Sequence, residues 1–205
     1  MAGQLFIISA PSGGGKTSLV RALLKELPNV SVAVSYTTRP PRPGDREGVD
    51  YYFVTQEVFE QKIAAGDFWE YAKVFGNWYG TPKKEVQARL TQDEDVILEI
   101  DWQGAAHIRA LTPCCSIFIL PPSMQVLETR LRARQQDSAA VINGRLAAAR
   151  TEISHFSEYD FLVVNDVFEQ AFTELKSIFQ AQRLRQVAQA KRLSRLLEDV
   201  LGSGG

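Results

Sequence analysis

Short runs of apolar residues recur along the chain and predict the strands of a buried sheet. They lie at residues 5–8, 30–34, 96–100, 117–120 and 161–164. Each run is continuous rather than alternating, which is typical of parallel strands that are covered on both faces. Helical segments separate most of the runs, and this alternation indicates an α/β fold. The order of the strands in the sheet does not follow from the pattern.

A long segment between the second and third runs, about residues 35–95, has a pattern of its own. It opens at residues 37–44, where three prolines and a glycine exclude a helix. A strand at 50–54, a helix at 56–65 and a strand at 68–75 follow, and residues 76–80 are predicted to turn. Thr81 then predicts the N-cap of another helix, with Pro82 at its first position. With its own strands and helices, this insertion is a lobe rather than a loop.

A second insertion is predicted to be helical from residue 123 to 134 and again up to about residue 154, with a break near 135–138. It carries arginines that either form a solvated face or contact phosphate, namely Arg130, Arg132, Arg134, Arg145 and Arg150. The tail, residues 169–201, is predicted to be helical and to pack through its first half. Its basic stretch, 183–195, is either a solvated end or a self-association surface, and in the second case the protein would be a homo-oligomer.

Composition narrows the function classes. The 205 residues are 45% hydrophobic and 23% charged, as in ordinary globular proteins, and the formal net charge is -1. That balance argues against a broad nucleic-acid surface. No apolar run is long enough to span a membrane, and the N-terminus is expected to enter the first strand directly, with no signal peptide. The only cysteines, Cys114 and Cys115, are adjacent and are expected to be reduced thiols of a cytoplasmic protein.

The stretch from Ser9 to Ser18 follows the first strand, precedes a helix and has the composition of a phosphate-binding loop. Its glycines let backbone N–H groups turn toward an anion, and the helix N-terminus adds partial positive charge. Lys16 can reach the outer phosphates of a nucleoside triphosphate, and the Thr17 hydroxyl can join a Mg²⁺ coordination shell. Ala10 stands where the general motif has its first glycine.

Two acids, Glu99 and Asp101, close the third strand. A carboxylate at that strand end lies beside the phosphate loop in such folds, where it can hold Mg²⁺ directly or through water. The alternative for Asp101 is a helix cap or a surface acid, and the Mg²⁺ interpretation is preferred.

The first insertion adds a second set of polar groups. Arg39 and Arg42 stand in the Pro-rich turn, where two guanidinium groups suit a phosphate dianion. Tyr51 and Tyr79 either donate hydroxyl groups to the same phosphate or pack in the core. Glu70 interrupts an apolar run, and a carboxylate there can accept the paired N1–H and N2–H of guanine, a pair that adenine lacks. Ser35 and Thr81 could donate to guanine O6, and for Thr81 this is compatible with the N-cap.

Six segments in this order resemble the guanylate kinases of the bacterial type. They are residues 9–17, 37–44, 50–53, 76–80, 99–104 and 164–166. The resemblance runs from residue 5 to about residue 185, and Ala10 is the residue that the family has in its loop. It implies reversible transfer of the γ-phosphoryl group of ATP to GMP, and to dGMP as well, in purine nucleotide metabolism.

The resemblance also implies three parts. A P-loop kinase core of about five parallel strands flanked by helices holds ATP and Mg²⁺, at residues 1–34, 96–122 and 156–201. An α/β GMP-binding lobe is inserted at residues 35–95, and a helical lid at 123–155. Residues 202–205 consist of glycine and serine and are expected, from that composition, to be a flexible tail.

Residue roles follow from the same resemblance. ATP is held by Gly13, Gly14, Gly15, Lys16, Thr17, Ser18, Arg130 and Asn165, and the metal by Thr17 and Asp101. Guanine is read by Ser35, Glu70 and Thr81, and the GMP phosphate is held by Arg39, Arg42, Tyr51 and Tyr79. Glu99 and Asp101 lie near the ribose, base or metal. The catalytic groups are Lys16, Arg39, Arg134 and Arg145, the last two closing from the lid.

Two departures and two alternatives accompany this interpretation. Gln135 stands where other family members often have a glycine after the last lid arginine, and Glu99 stands where some have aspartate. One alternative is a non-catalytic peptide-binding module of scaffold proteins, but such modules tend to lose the loop lysine, which is present here. The other is a related kinase that acts on a different nucleotide or phosphorylated sugar.

Overall fold

The structure, a computed structural model, describes residues 3–74, 76–133 and 139–202. Within these ranges the strands are β1 (Leu5–Ser9), β2 (Val30–Val32), β3 (Tyr36–Thr37), β4 (Tyr52–Phe53), β5 (Phe68–Val74), β6 (Asn77–Pro82), β7 (Asp95–Leu98), β8 (Cys115–Leu120) and β9 (Phe161–Val164). The helices are α1 (Lys16–Glu26), α2 (Gln56–Ala64), α3 (Lys83–Thr91), α4 (Trp102–Leu111), α5 (Met124–Ala133), α6 (Ala139–Ser154), α7 (Phe168–Arg183), α8 (Gln186–Arg192) and α9 (Ser194–Leu201).

The five predicted strands form one parallel sheet, in the order β2-β7-β1-β8-β9. The central strand, β1, is buried along its whole length, which explains why its sequence is continuously apolar. Phe6 and Ile8 pack on one face with residues of α1 and α7, and the Phe6 ring stacks on Phe179 with centroids 3.8 Å apart. Leu5 and Ile7 pack on the other face with residues of α3 and α4. The predicted α/β class, a parallel sheet flanked by helices, is therefore confirmed.

The strand order places a crevice at the carboxyl ends of β1 and β7. These two strands are neighbours, with Ile7 paired to Leu98. The chain leaves β1 for α1 on one face of the sheet and leaves β7 for α4 on the opposite face. Loops that depart to opposite faces from adjacent parallel strands open a crevice, and ligands of α/β proteins bind in such crevices.

The first insertion contains a second sheet, in the order β4-β3-β6-β5. It packs over α2 through Phe59, which is fully buried and has its ring centroid 4.6 Å from that of Phe68. The antiparallel pair β5 and β6 is irregular between Phe68 and Glu70, and this irregularity brings Glu70 opposite Thr81. The Pro-rich segment at 37–44 is not helical, as predicted.

Two predictions in this insertion are wrong. Residues 77–80, predicted to turn, belong to strand β6. Thr81 does not cap a helix, because it is also a β6 residue, and α3 begins at Lys83 with Pro82 as its N-cap. A threonine followed by a proline is a common start of a helix, but here the cross-strand pairing with β5 extends through both residues.

Helices α5 and α6 enclose a small core of their own, formed by Leu127, Leu131, Ile142 and Ala149. The predicted break at 135–138 lies outside the described residues. The tail is helical as predicted, but it is divided into α7, α8 and α9, and only α7 among them contributes to the main core. No helix among the described residues has both the length and the apolar character needed to cross a membrane.

Both cysteines carry free thiols. Burial raises the pKa of Cys115 to about 12, so this thiol is protonated near neutral pH and is a poor nucleophile.

An ion pair anchors the end of α7 to the sheet. Arg183 Nε donates to Asp95 Oδ2 at 2.8 Å, and Gln4 N donates to Asp95 Oδ1 at 2.8 Å. We expect Arg183→Ala to lower the free energy of unfolding by about 2–3 kcal/mol, because it leaves a buried carboxylate short of a partner. Urea unfolding measures this change.

Arg185→Ala is the matched control. Arg185 lies two residues further on and is exposed, so its removal is expected to change the free energy of unfolding by less than about 0.5 kcal/mol. Equal losses in the two variants would contradict the anchoring by Arg183.

Candidate active site

The phosphate loop joins β1 to α1 in a conformation that requires glycine. Gly13 and Gly15 have φ angles of 89° and 91°, in the left-handed region that other residues rarely adopt. Gly14 N donates to Pro11 O at 2.8 Å, which closes the turn. Gly15 directly precedes α1, so the loop leads into the positive end of that helix.

Asn165, which follows β9, holds this loop in place through a side-chain hydrogen bond. Its buried side chain donates from Nδ2 to Gly14 O at 2.8 Å, and a Cβ atom on Gly15 would collide with the same amide group. Arg130 Nη2 in turn donates to the backbone carbonyl of Asn165 at 2.9 Å. The resemblance assigned Asn165 and Arg130 to ATP binding, and in this structure both also hold the loop in place.

Asp101 caps helix α4 at the carboxyl end of β7. Its Oδ1 accepts from Gly104 N at 2.9 Å, and its Oδ2 accepts from Gln103 Nε2 at 3.2 Å. The helix-cap alternative for Asp101 is therefore observed. The cap leaves a lone pair on each oxygen, so the carboxylate can still accept a hydrogen bond from metal-bound water.

Glu70 and Thr81 form a buried pair on β5 and β6. Thr81 Oγ1 donates to Glu70 Oε1 at 2.5 Å, and the glutamate is only 5% exposed. Burial raises the pKa of Glu70 to about 7, and the negative charge of Asp101 adds to this shift, while the hydrogen bonds from Thr81 oppose it. An acid kept at such a cost inside an apolar strand indicates a functional group.

Two tyrosines stand beside this pair. The rings of Tyr51 and Tyr79 meet edge to face, with centroids 5.8 Å apart. Burial raises the pKa of Tyr51 to about 12, which keeps its hydroxyl group protonated and able to donate.

The two arginines of the Pro-rich turn are held by Asp45. Arg39 Nη2 donates to Asp45 Oδ2 at 2.8 Å, and the Arg39 guanidinium lies 5.3 Å from the centre of the Tyr51 ring. Arg42 donates its backbone N–H to the same oxygen at 2.7 Å, and its side chain is exposed. Burial alone would raise the pKa of Asp45, but the hydrogen bonds from Arg42 and Arg39 outweigh it and lower the pKa.

A cavity of about 280 Å³ lies between the phosphate loop and the second sheet. It brings together most of the residues predicted for the site: Gly13, Gly14, Gly15, Lys16, Thr17, Ser18, Ser35, Tyr51, Glu70, Tyr79, Glu99 and Asp101. Six other predicted residues that the structure describes do not line it: Arg39, Arg42, Thr81, Arg130, Arg145 and Asn165. Arg134 lies outside the described residues.

Glu152 also lines this cavity, and the sequence did not single it out. It comes from α6, in the second insertion, and reaches the neighbourhood of Lys16 and Asp101. Burial raises the pKa of Glu152 to about 7; the charge of Asp101 adds to this shift and that of Lys16 opposes it. In sequence Glu152 is an ordinary charged residue of a helix, and only the packing of α6 brings it to the cavity.

Comparisons with known proteins agree with this architecture. The family model described as guanylate kinase matches residues 2–182. The guanylate kinase of Methylococcus capsulatus is 56% identical over 201 residues, covering 98% of each chain, and that of Hahella chejuensis is 55% identical over 202 residues, covering 98% of this chain and 97% of its own. The crystal structure of guanylate kinase from Anaplasma phagocytophilum superposes with a TM-score of 0.80 at 35% identity, covering 96% of this chain and 94% of that one.

The raised pKa of Glu70 predicts how stability depends on pH. Between pH 4.5, the ordinary pKa, and about 7 the folded protein holds a proton that the unfolded chain releases. The free energy of unfolding should therefore fall as the pH rises through this window, by on the order of 2–3 kcal/mol from this group. Glu70→Gln cannot titrate, so urea unfolding should show a shallower fall than in wild type.

Glu60→Gln, an exposed substitution in the same insertion, is the control and should reproduce the wild-type dependence. The assignment is refuted if Glu70→Gln and Glu60→Gln give the same dependence of unfolding on pH.

Proposed function

We propose how this chain, which belongs to the guanylate kinase family, arranges its two substrates around the cavity. It is an ATP:GMP phosphotransferase, which transfers the γ-phosphoryl group of ATP to GMP and gives ADP and GDP. One observation carries the proposal: a single cavity is lined both by the phosphate loop and by Glu70, whose carboxylate accepts a hydrogen bond from Thr81. Two nucleotides bound at opposite ends of one cavity can bring donor and acceptor phosphates together, and positioning of this kind supplies much of phosphoryl-transfer catalysis.

At the ATP end, the backbone N–H groups of residues 13–18 and the Lys16 ammonium group are assigned to the phosphates. The left-handed glycines make this backbone approach possible. Lys16 stabilises the charge that develops on the outer phosphates during transfer. Arg130 and Asn165 are assigned to ATP as well, a role compatible with their support of the loop because both are next to it.

Mg²⁺ is proposed to bind beside Thr17 and Asp101. Among the residues that the structure describes, no group of three or more His, Cys, Asp or Glu side chains could enclose a metal ion. The two oxygen donors of Thr17 and Asp101 fit Mg²⁺, which usually keeps several waters and binds one or two protein groups together with substrate phosphates. When bound, the ion neutralises phosphate charge.

At the GMP end, Glu70 is proposed to accept the N1–H and N2–H of guanine, and Ser35 and Thr81 to donate to O6. Thr81 Oγ1 donates its single proton to Glu70 in this structure, so the hydroxyl must turn from Glu70 to O6 when guanine binds, which leaves both carboxylate oxygens to accept from the base. Glu99 and Asp101 are assigned to the ribose, base or metal. Glu99 Oε1 is buried without a hydrogen bond from any described group, which makes it available to a ligand.

The GMP phosphate is assigned to Arg39, Arg42, Tyr51 and Tyr79. In this structure Arg39 donates from Nη2 to Asp45 and from Nη1 to the Pro40 carbonyl. A guanidinium group has five N–H donors, so further donors remain for a phosphate while Asp45 holds the side chain in place.

The division into a core, a GMP-binding lobe at 35–95 and a lid at 123–155 belongs to the same proposal. Arg134 and Arg145 would close on the phosphates from the lid, which would exclude water and favour transfer over hydrolysis. We further propose dGMP as a second acceptor, because the groups assigned to base and phosphate need no 2′-hydroxyl. The proposed setting is purine nucleotide metabolism in the cytoplasm, without nucleic-acid or membrane partners.

Lys16→Met tests the loop. It should fold normally and lower kcat about a hundredfold to a thousandfold, because it removes charge stabilisation at the transferring phosphates. A coupled assay of ADP release measures kcat, and circular dichroism checks the fold. Lys25→Met, an exposed residue of the same helix, is the control and should keep wild-type kcat. A folded Lys16→Met enzyme within a few-fold of wild type would exclude this assignment.

Base reading and phosphate holding can be separated within the lobe. Glu70→Gln should raise the KM for GMP about tenfold or more and narrow the preference for GMP over AMP, because guanine donors lose an acceptor and an amide tolerates adenine better. Arg39→Ala and Arg42→Ala should weaken GMP but keep the GMP:AMP ratio, since every monophosphate presents the same dianion. The measurement is kcat/KM for both nucleotides in all three variants. If Glu70→Gln kept the wild-type preference for GMP over AMP, the base-reading role of Glu70 would be wrong.

A further inference from the structure

Gly104 occupies a position where a helix does not need glycine. It is the third residue of α4, it is buried, and its φ lies outside the left-handed region. Alanine could adopt the same backbone conformation, and inside a helix glycine is less favourable than alanine by about 1 kcal/mol. The reason for a glycine here must therefore be the lack of room for a side chain, and not the conformation of the backbone.

That space is occupied by the carboxylate of Glu70. A Cβ atom on Gly104 would lie 2.6 Å from Glu70 Oε2, a distance that real Cβ atoms do not show, and 3.1 Å from its Cδ, which is a tight contact. The other carboxylate oxygen is held by Thr81 at 2.5 Å, and Glu70 is 5% exposed, so the group has little freedom to move aside. Strand β5 packs against α4 at this point.

We infer that Gly104 is a specificity-determining position, which sets where the Glu70 carboxylate stands in the cavity and so how well the enzyme reads guanine. The inference rests on the base-reading role proposed for Glu70. A methyl group on Gly104 would push Oε2 away from α4 and would tilt the carboxylate that must meet two N–H donors side by side. Gly104 acts through Glu70, so it is a positioning residue.

The substitution Gly104→Ala isolates this effect. It keeps the backbone N–H that donates to Asp101 Oδ1, so the helix cap is retained. It adds no polar group and has a higher helix propensity, but it crowds a buried carboxylate, so thermal unfolding should remain a single transition at a lowered temperature. Gly144→Ala, also a helical glycine but with nothing within 4 Å of the added Cβ atom, is the control for helix propensity alone.

The experiment is steady-state kinetics with GMP and with IMP, which lacks only the 2-amino group of guanine. We expect Gly104→Ala to raise the KM for GMP about tenfold and to narrow the GMP:IMP ratio of kcat/KM, because an N–H donor loses its acceptor. The KM for ATP should stay within about twofold, as expected of a change at one end of the cavity. Gly144→Ala should leave both KM values unchanged.

A double-variant comparison shows whether Gly104 acts through Glu70. In a Glu70→Ala background the clash is gone, so adding Gly104→Ala should change the KM for GMP by less than about twofold. An equal effect in both backgrounds would overturn the inference, because Gly104 would then act through α4 itself. If Glu70→Ala weakens GMP but Gly104→Ala does not, only the inference about Gly104 fails. If Glu70→Ala leaves the KM for GMP unchanged, the base-reading role fails, and the inference fails with it.

Discussion

The parallel pairing of β1 with β7 is the constraint on which the site depends. It sets two carboxyl ends side by side, and Ser9 Oγ ties them by donating to Ile100 O at 2.7 Å. From these ends the chain departs to opposite faces of the sheet, as the phosphate loop and α1 on one side and as Asp101 and α4 on the other. The crevice between them is therefore a consequence of topology. The second sheet and α6 contribute to the site by covering this crevice.

Acidic side chains outnumber basic ones among the described residues that line the cavity. Four carboxyl groups line it, those of Glu70, Glu99, Asp101 and Glu152, and Lys16 is the only ammonium group among the described lining residues. Burial raises the pKa values of Glu70 and Glu152 to about 7, so both are partly protonated near neutral pH. Asp101 is stabilised by the N-terminus of α4. Several buried carboxyl groups without matching cations are unfavourable until a ligand supplies hydrogen-bond donors or positive charge. Such an unbalanced cluster of buried acids is typical of functional sites.

Local sequence patterns predict the strands and the phosphate loop of the core. The features that they do not predict depend on contacts between residues far apart in the sequence. The five strands and the phosphate loop are encoded by runs of a few residues, and each was found where the pattern predicted it. The local Thr-Pro signal predicts a helix N-cap at Thr81, but pairing with β5 keeps Thr81 in a strand. Glu152 had no local signature at all. The side-chain amide of Asn165 donates to Gly14, which is 151 positions earlier in the sequence, and no local pattern predicts such a contact.

The first turn of α4 connects the two ends of the cavity. Asp101 begins the helix at the phosphate-loop end, and its carboxylate is oriented by the Gly104 N–H. Gly104 then lies directly against the carboxylate of Glu70, which belongs to the other sheet. A helix end is a rigid reference because its backbone groups are bonded in a fixed geometry. The group proposed to read the base is thus located against the same turn that positions the acid beside the phosphates, and this shared reference explains how two sheets can define one site.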